Sequence, residues 1–229
     1  METISKESTN EEKYMSFKQK REKGENPHYI CQLIREDLID EFVIYVNKTN
    51  YNLNSKIESS IFETNTFLLN EGTTLIDYAA FFGSIQIFRF LLLNGVKIDE
   101  SLWEYAVHSN NPELIHILEY NQVEYSLKYY NPLNESIKCF HNDFAHYFLD
   151  NKDFELEDDK IPTYHNYEFL RFGSYNDYQE LFFIACEDNY PYLVSILLNK
   201  EEFKIDINAV KNDILIILYL IKRMRFCLL

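Results

Sequence analysis

A short pattern returns four times along this chain, and it fits neither one long helix nor an alternating strand. The apolar pairs Leu75-Ile76, Leu102-Trp103, Pro132-Leu133 and Leu181-Phe182 each end three residues before a small residue: Ala79, Ala106, Ser136 and Ala185. The next position holds Ala80, Val107, Ile137 and Cys186. Eight residues beyond the small residue stand Ile87, Leu114, Phe144 and Leu193, followed directly by Phe88, Ile115, Ala145 and Val194. Leu91, Leu118, Phe148 and Leu197 come four further on, and Asn94, Asn121 and Asn151 then share one position. Coincident columns of this kind define a repeated structural unit.

The clearest copy, residues 71–99, gives the unit its physical form. One continuous helix fails there, because Gly83 falls mid-pattern and the segment is apolar nearly all round. Two antiparallel helices succeed. The first is predicted over about residues 74–82, the turn at Gly83, the return helix over about 85–93, and a left-handed stop at Asn94-Gly95. The small residue lets the first helix approach its neighbour closely, while pairs such as Ile87 and Leu91 line one face of the second. Gly83, Asn110 and Asn189 fall at the inter-helix turn, and all three types tolerate positive φ. Phe140 stands in that place in the remaining copy. A single pair cannot bury its own apolar side, so the copies must stack.

Residues 71–99 resemble an ankyrin repeat along their whole length. Thr74-Leu75-Ile76-Asp77-Tyr78-Ala79-Ala80 stands where that family has Thr-Pro-Leu-His-x-Ala-Ala, Gly83 matches the inter-helix glycine, and Leu91-Leu92 with Gly95 close the unit. Asn131-Pro132-Leu133 in a later copy is nearer the family pattern at its Pro-Leu. The flavour is similar to the divergent ankyrin-type proteins expanded in parasitic protists. The spacing departs from the family: Ala79 to Ala106 is 27 residues, Ala106 to Ser136 is 30 and Ser136 to Ala185 is 49, against a usual period of about 33.

The fold this implies is an all-α, ankyrin-type helical-hairpin solenoid with reduced β-turn fingers. Its units are expected at about 29–46, 71–99, 98–126, 128–152 and 177–208, with an acidic, Tyr-rich insertion at 153–177. Residues 1–26 read as a polar, disordered tail or loose helix. A helical turn is expected near 57–62 in the connector, and residues 209–229 as an incomplete terminal repeat or capping helix. A membrane-surface helix is the alternative for this last segment, because its apolar run over 214–221 is too short to span a bilayer before Lys222, Arg223 and Arg225.

The resemblance also implies a function: an adaptor or scaffold that binds a partner protein across the concave face without catalysis. Carried over copy by copy, the contact positions are Thr73, Phe81 and Phe82; Glu100, His108 and Ser109; Tyr130, Lys138 and Cys139; and Gln179, Glu187 and Asp188. Phe81 and Phe82 would be a binding hot spot if they face solvent and core if the turns fold over them. Trp103 takes the place of an inward leucine and is expected in the core.

Composition narrows the partner. A formal charge of −15 and a pI near 4.8 leave no dense cationic face for a phosphate backbone, so no nucleic acid is expected and a basic protein surface is. An acidic decoy that blocks a nucleic-acid-binding protein is the alternative from the same charge. The start of the chain is polar without an apolar signal core, and no transmembrane run follows, so a cytoplasmic or nuclear monomer is expected.

Catalytic and metal chemistry are thinly represented. Cys31, Cys139, Cys186 and Cys227 form no CxxC pair. The run around Cys139, His141, Asp143 and His146 offers donors, but on one helix His141 and His146 would lie about 140° apart around the axis. Cys186-Glu187-Asp188 has no neighbouring histidine. Glu155, Glu157, Asp158 and Asp159 lack the spacing and glycine of a calcium loop. No cofactor or metal is assigned. A less favoured reading places an enzyme site in the insertion, with Tyr164, His165 and Asp177 as its candidates.

Overall fold

Short helices joined by tight turns carry nearly all the regular structure. The computed structural model describes residues 10–69, 72–125, 131–152, 154–157, 160–171, 178–187, 190–207, 210–211 and 214–215. Among these the architecture is all-α apart from one two-residue antiparallel pairing and one isolated β-bridge. The chain divides into two units, Met1–Phe144 and Ala145–Leu229, with the boundary inside a helix. The first unit contains α1 (Asn10–Lys23), α2 (Tyr29–Arg35), α3 (Ile39–Thr49), α4 (Leu75–Phe82), α5 (Ile85–Leu93), α6 (Leu102–His108), α7 (Pro112–Tyr120) and α8 (Pro132–Lys138), and ends in the first residues of α9 (Asn142–Asn151). The second contains the rest of α9, α10 (Ile161–Tyr164), α11 (Tyr178–Glu187) and α12 (Pro191–Asn199), with 3-10 turns at Tyr167–Phe169 and Glu201–Phe203.

Local chemistry sets the helix ends. Thr74 opens α4 with a reciprocal capping box: its hydroxyl accepts from the Asp77 amide at 3.4 Å, and the Asp77 carboxylate accepts from the Thr74 amide at 2.9 Å. Asn111 and Asn131 cap α7 and α8 through their side-chain oxygens, each followed by a proline at the first helical position. The inter-helix turn bends at Asp37, Gly83, Asn110 and Phe140, all with positive φ (48°, 69°, 51° and 59°). Three of these are residue types suited to that region; Phe140 adopts it at the expense of Cβ crowding. The shared asparagines finish the second helices, donating from Nδ2 to the carbonyl four residues back: Asn94 to Phe90 at 2.7 Å, Asn121 to Ile117 at 2.7 Å and Asn151 to Tyr147 at 3.0 Å.

Within the first unit the hairpins pack in succession. α2 lies against α3 and α4, α4 against α5 and α6, and α6 against α7 and α8. The small residues sit at these contacts: Ala79, Ala80, Ala106 and Ser136 are fully buried, beside Leu75, Ile87, Leu91, Leu114 and Leu118. Phe81 and His108 hold the same repeat column in neighbouring hairpins, and their rings stack with centroids 4.8 Å apart. The turns interlock as well. Ser84 Oγ donates to the Ile34 carbonyl, and the Asp37 carboxylate accepts from the amides of Gln86 and Ile87 at 3.1 and 3.0 Å, so one turn caps the next hairpin's second helix. Trp103 is buried as expected, its Nε1–H shared between the Val123 and Glu124 carbonyls. In the second unit Leu181, Phe182, Ala185, Cys186, Leu193, Val194 and Leu197 form the core with Phe203.

Two expectations are corrected, and one choice left open is decided. Of the two readings of the N-terminal segment, a helix forms over residues 10–23, α1. It is held on the connector by the Phe17 and Phe62 rings at 5.3 Å, by Arg21 donating to the Ile61 carbonyl, and just past its end by Thr64 donating to the Gly24 carbonyl. The connector has turns but no helix at 57–62; instead Lys56 bridges Thr74, with the Ile57 amide donating to the Thr73 carbonyl at 2.8 Å. Of the segment expected as a terminal helix, the described residues pair as short strands, Val210–Lys211 with Ile214–Leu215. A brief aliphatic run satisfies either structure, and β-branched residues favour the strand. The remainder, from residue 216, lies outside the described residues. No helix among the described residues is long and apolar enough to cross a membrane.

Candidate functional site

Among the described residues, a cluster of polar side chains lies where α6 meets α8. Helical geometry puts residues four apart on one side. On α6 these are Glu104 and His108; from α8 they are Glu135 and Cys139, the latter at its C-terminal cap. His108 Nε2 stands 3.0 Å from Glu135 Oε1, and Lys138 Nζ donates to Glu135 Oε2 at 2.8 Å. Cys139 Sγ is 3.5 Å from His108 Nδ1, 3.9 Å from Nε2 and 4.0 Å from Glu135 Oε1. Two aromatic rings wall the imidazole: Phe81, stacked on it, and Phe67, with centroids 4.2 Å away.

Burial sets the electrostatics. It would raise the Glu135 carboxyl, but hydrogen bonds from His108 and Lys138 outweigh that effect and hold it below the usual carboxylate range. Glu104 has no such compensation: burial, then the Glu135 charge, lift it to about 7 against the pull of Lys138. Burial and the Glu135 charge push the Cys139 thiol up to about 12, and burial depresses His141.

These facts decide between chemistries. A cysteine nucleophile needs its thiol in line with an imidazole lone pair and a lowered pKa. Here the sulfur stands 3.5 and 3.9 Å from the two ring nitrogens, committed to neither lone pair, and the thiol is pushed up to about 12. The arrangement is unsuited to covalent catalysis.

The residues carried over from the family pattern fare differently. Thr73 is 4% exposed and pairs its hydroxyl with that of Tyr105 at 3.2 Å, so it is a core residue rather than a contact residue. Phe81 and Phe82 are half-buried, packed on Phe67, His108 and Tyr78, which makes them neither a free aromatic pair nor full core. Glu100, His108 and Ser109 are half-buried; the Ser109 hydroxyl is turned back to the Ala106 carbonyl. Lys138 and Glu187 are exposed. Gln179 is committed to the backbone of Asp206, donating to its carbonyl at 3.1 Å and accepting from its amide at 2.7 Å. Tyr130 and Asp188 lie outside the described residues.

Other candidates separate. His146 Nε2 pairs with Glu168 Oε1 at 2.8 Å, Asp143 is exposed, and Cys186 is buried with its thiol raised to about 11. In the insertion, His165 stacks on Tyr190 with centroids 5.0 Å apart, and Glu157 pairs with Lys160; Asp158, Asp159 and Asp177 are outside the described residues. A cleft of about 300 Å³ between the connector and α4 is lined by Lys56, Glu63, Leu68, Thr73 and Tyr78. Glu63 already accepts the amides of Asn26 and Asn65 at 3.2 and 3.0 Å.

Sequence reasoning placed His108 and Cys139 on a contact face and passed over Phe67, Glu104 and Glu135. The signal was present in the two i, i+4 pairs of adjacent first helices. Comparison with protein-family models gives no match, and neither does comparison with curated proteins.

Proposed function

We propose that the chain is a non-catalytic protein-binding module, built as an ankyrin-like stack of helical hairpins, whose partner docks on the side presented by the first helices. The observation that carries this reading is the succession α2, α4, α6, α8. Each first helix packs on the next, and together they place Phe67, Phe81, Phe82 and Lys138 along one run of repeat columns and the connector beside it. Half-buried aromatic rings held by their neighbours lose little freedom on binding, which favours them as anchors. The charge of −15 selects for a basic partner surface.

The test uses a photo-crosslinking residue placed at Lys138 in the first-helix row or at Tyr120 on α7. Adducts from native cells at Lys138, weakened by added salt and absent at Tyr120, support the reading. Adducts at Tyr120 alone, or salt-independent capture, overturn it.

A further inference from the structure

We infer that His108, Glu135 and Cys139 form a binding site for one transition-metal ion of the zinc class, set between α6 and α8. Three donor types converge there from two helices: an imidazole nitrogen, a carboxylate oxygen and a thiol sulfur, with their atoms 3.0 to 4.0 Å apart. Magnesium and calcium take oxygen ligands, so a mixed nitrogen, oxygen and sulfur set selects zinc or its neighbours. Ligand atoms around a tetrahedral zinc stand about 3.3 to 3.6 Å apart, given its bond lengths. The observed separations bracket that range.

The surroundings suit the role. His108 is clamped by Phe81 and Phe67, which fix the ring and keep water from one side. Lys138 takes Glu135 Oε2, leaving Oε1 aimed at the imidazole; outer contacts of this kind orient ligands and are worth about 10- to 100-fold in affinity. Two further donors interact with this group, Glu104 with Glu135 and His141 with His108. One movement is required. Because Cys139 Sγ stands nearer His108 Nδ1, at 3.5 Å, than the Nε2 that faces Glu135, at 3.9 Å, loading shifts the side chain onto the metal, and its proton passes to solvent as the sulfur–metal bond forms. Cys139 ends its helix and has one rotatable side-chain bond, so the shift leaves the fold in place. The site does not depend on partner docking, and its test reads the metal alone.

The full chain, stripped with chelator, is titrated with Co²⁺ and followed by absorbance. One equivalent should produce a thiolate-to-cobalt charge-transfer band with the visible bands of a tetrahedral ion, and Zn²⁺ should bleach both. Cys139→Ser should abolish the charge-transfer band, whereas Cys31→Ser and Cys186→Ser should keep it. His108→Gln and Glu135→Gln should each weaken binding by about ten-fold or more. Zn²⁺ should raise the melting temperature of the parent chain and not of Cys139→Ser. If that variant does not fold, His108→Gln carries the comparison. No cobalt band at one equivalent, or a band that survives Cys139→Ser or both glutamine variants, overturns the proposal.

Discussion

α4 and α8 hold equivalent places in the repeat and bury different kinds of side chain. α4 buries Leu75, Ile76, Tyr78, Ala79 and Ala80, while α8 buries Pro132, Leu133, Asn134, Glu135, Ser136 and Ile137. The shared columns are apolar or small in both: Ile76 matches Leu133, and Ala79 matches Ser136. The difference lies in the columns between, where Tyr78 is answered by Glu135. A buried carboxylate is costly unless paired, and this one is paired twice. The stack therefore needs only certain columns for its core, and the remaining positions of a first helix are free to carry chemistry.

The largest expected effect tests the shared columns. Ile76→Ala and Leu133→Ala should each destabilise the chain by about 2–5 kcal/mol, since both side chains are fully buried. Urea denaturation measures it. Similar losses at the two sites would mean that α4 and α8 are interchangeable as core. A Leu133→Ala loss below about 1 kcal/mol would break the equivalence and make α8 mainly a polar platform.

Next in size is Glu104, the carboxyl that faces Glu135 without a cation of its own. Its folded value of about 7 lies above its ordinary 4.5, so it favours the folded state while protonated, and that contribution is lost as pH rises from 4.5 through 7. Glu104→Gln should leave stability unchanged near pH 4 and raise it by about 1–2 kcal/mol near pH 8, a figure reduced for the carboxyl's partial exposure. Chemical melts at the two pH values read the effect. An equal gain at both, or a loss at pH 8, would remove the Glu104–Glu135 repulsion from the comparison.

The fold was legible where one column means one physical requirement. The small residue, the i, i+4 apolar pairs, the turn position and the closing asparagine each answer to a local rule, and they placed α4 and α5 to within a residue. α1 was legible only as one of two readings. Its sequence is mostly polar, and it is held by Phe17 on Phe62 and Arg21 on the Ile61 carbonyl, contacts made across about 40 residues of chain. The same reason hid the site. His108 meets Glu135 across 27 residues and Cys139 across 31, so a search for donors within one segment weighed only Cys139, His141, Asp143 and His146 and assigned no metal. The register itself would have brought them together, since neighbouring first helices align column on column.

The smallest effect concerns the turns, where Asn110 and Phe140 share one job. Both have positive φ, 51° and 59°. Phenylalanine pays about 1–2 kcal/mol for that conformation, whereas asparagine recovers part of it through local hydrogen bonding. The Phe140 ring is 58% exposed and contributes little burial in return. Phe140→Asn should therefore stabilise the chain by about 0.5–1 kcal/mol, and Asn110→Phe should cost as much. Phe140→Gly should gain less than the asparagine variant, because glycine also loosens the unfolded chain. Paired thermal melts of the two swaps decide it. If Phe140→Asn destabilises, the ring has a packing role that its exposure conceals, and the turn of the α8 hairpin is held by the side chain rather than tolerated by the stack.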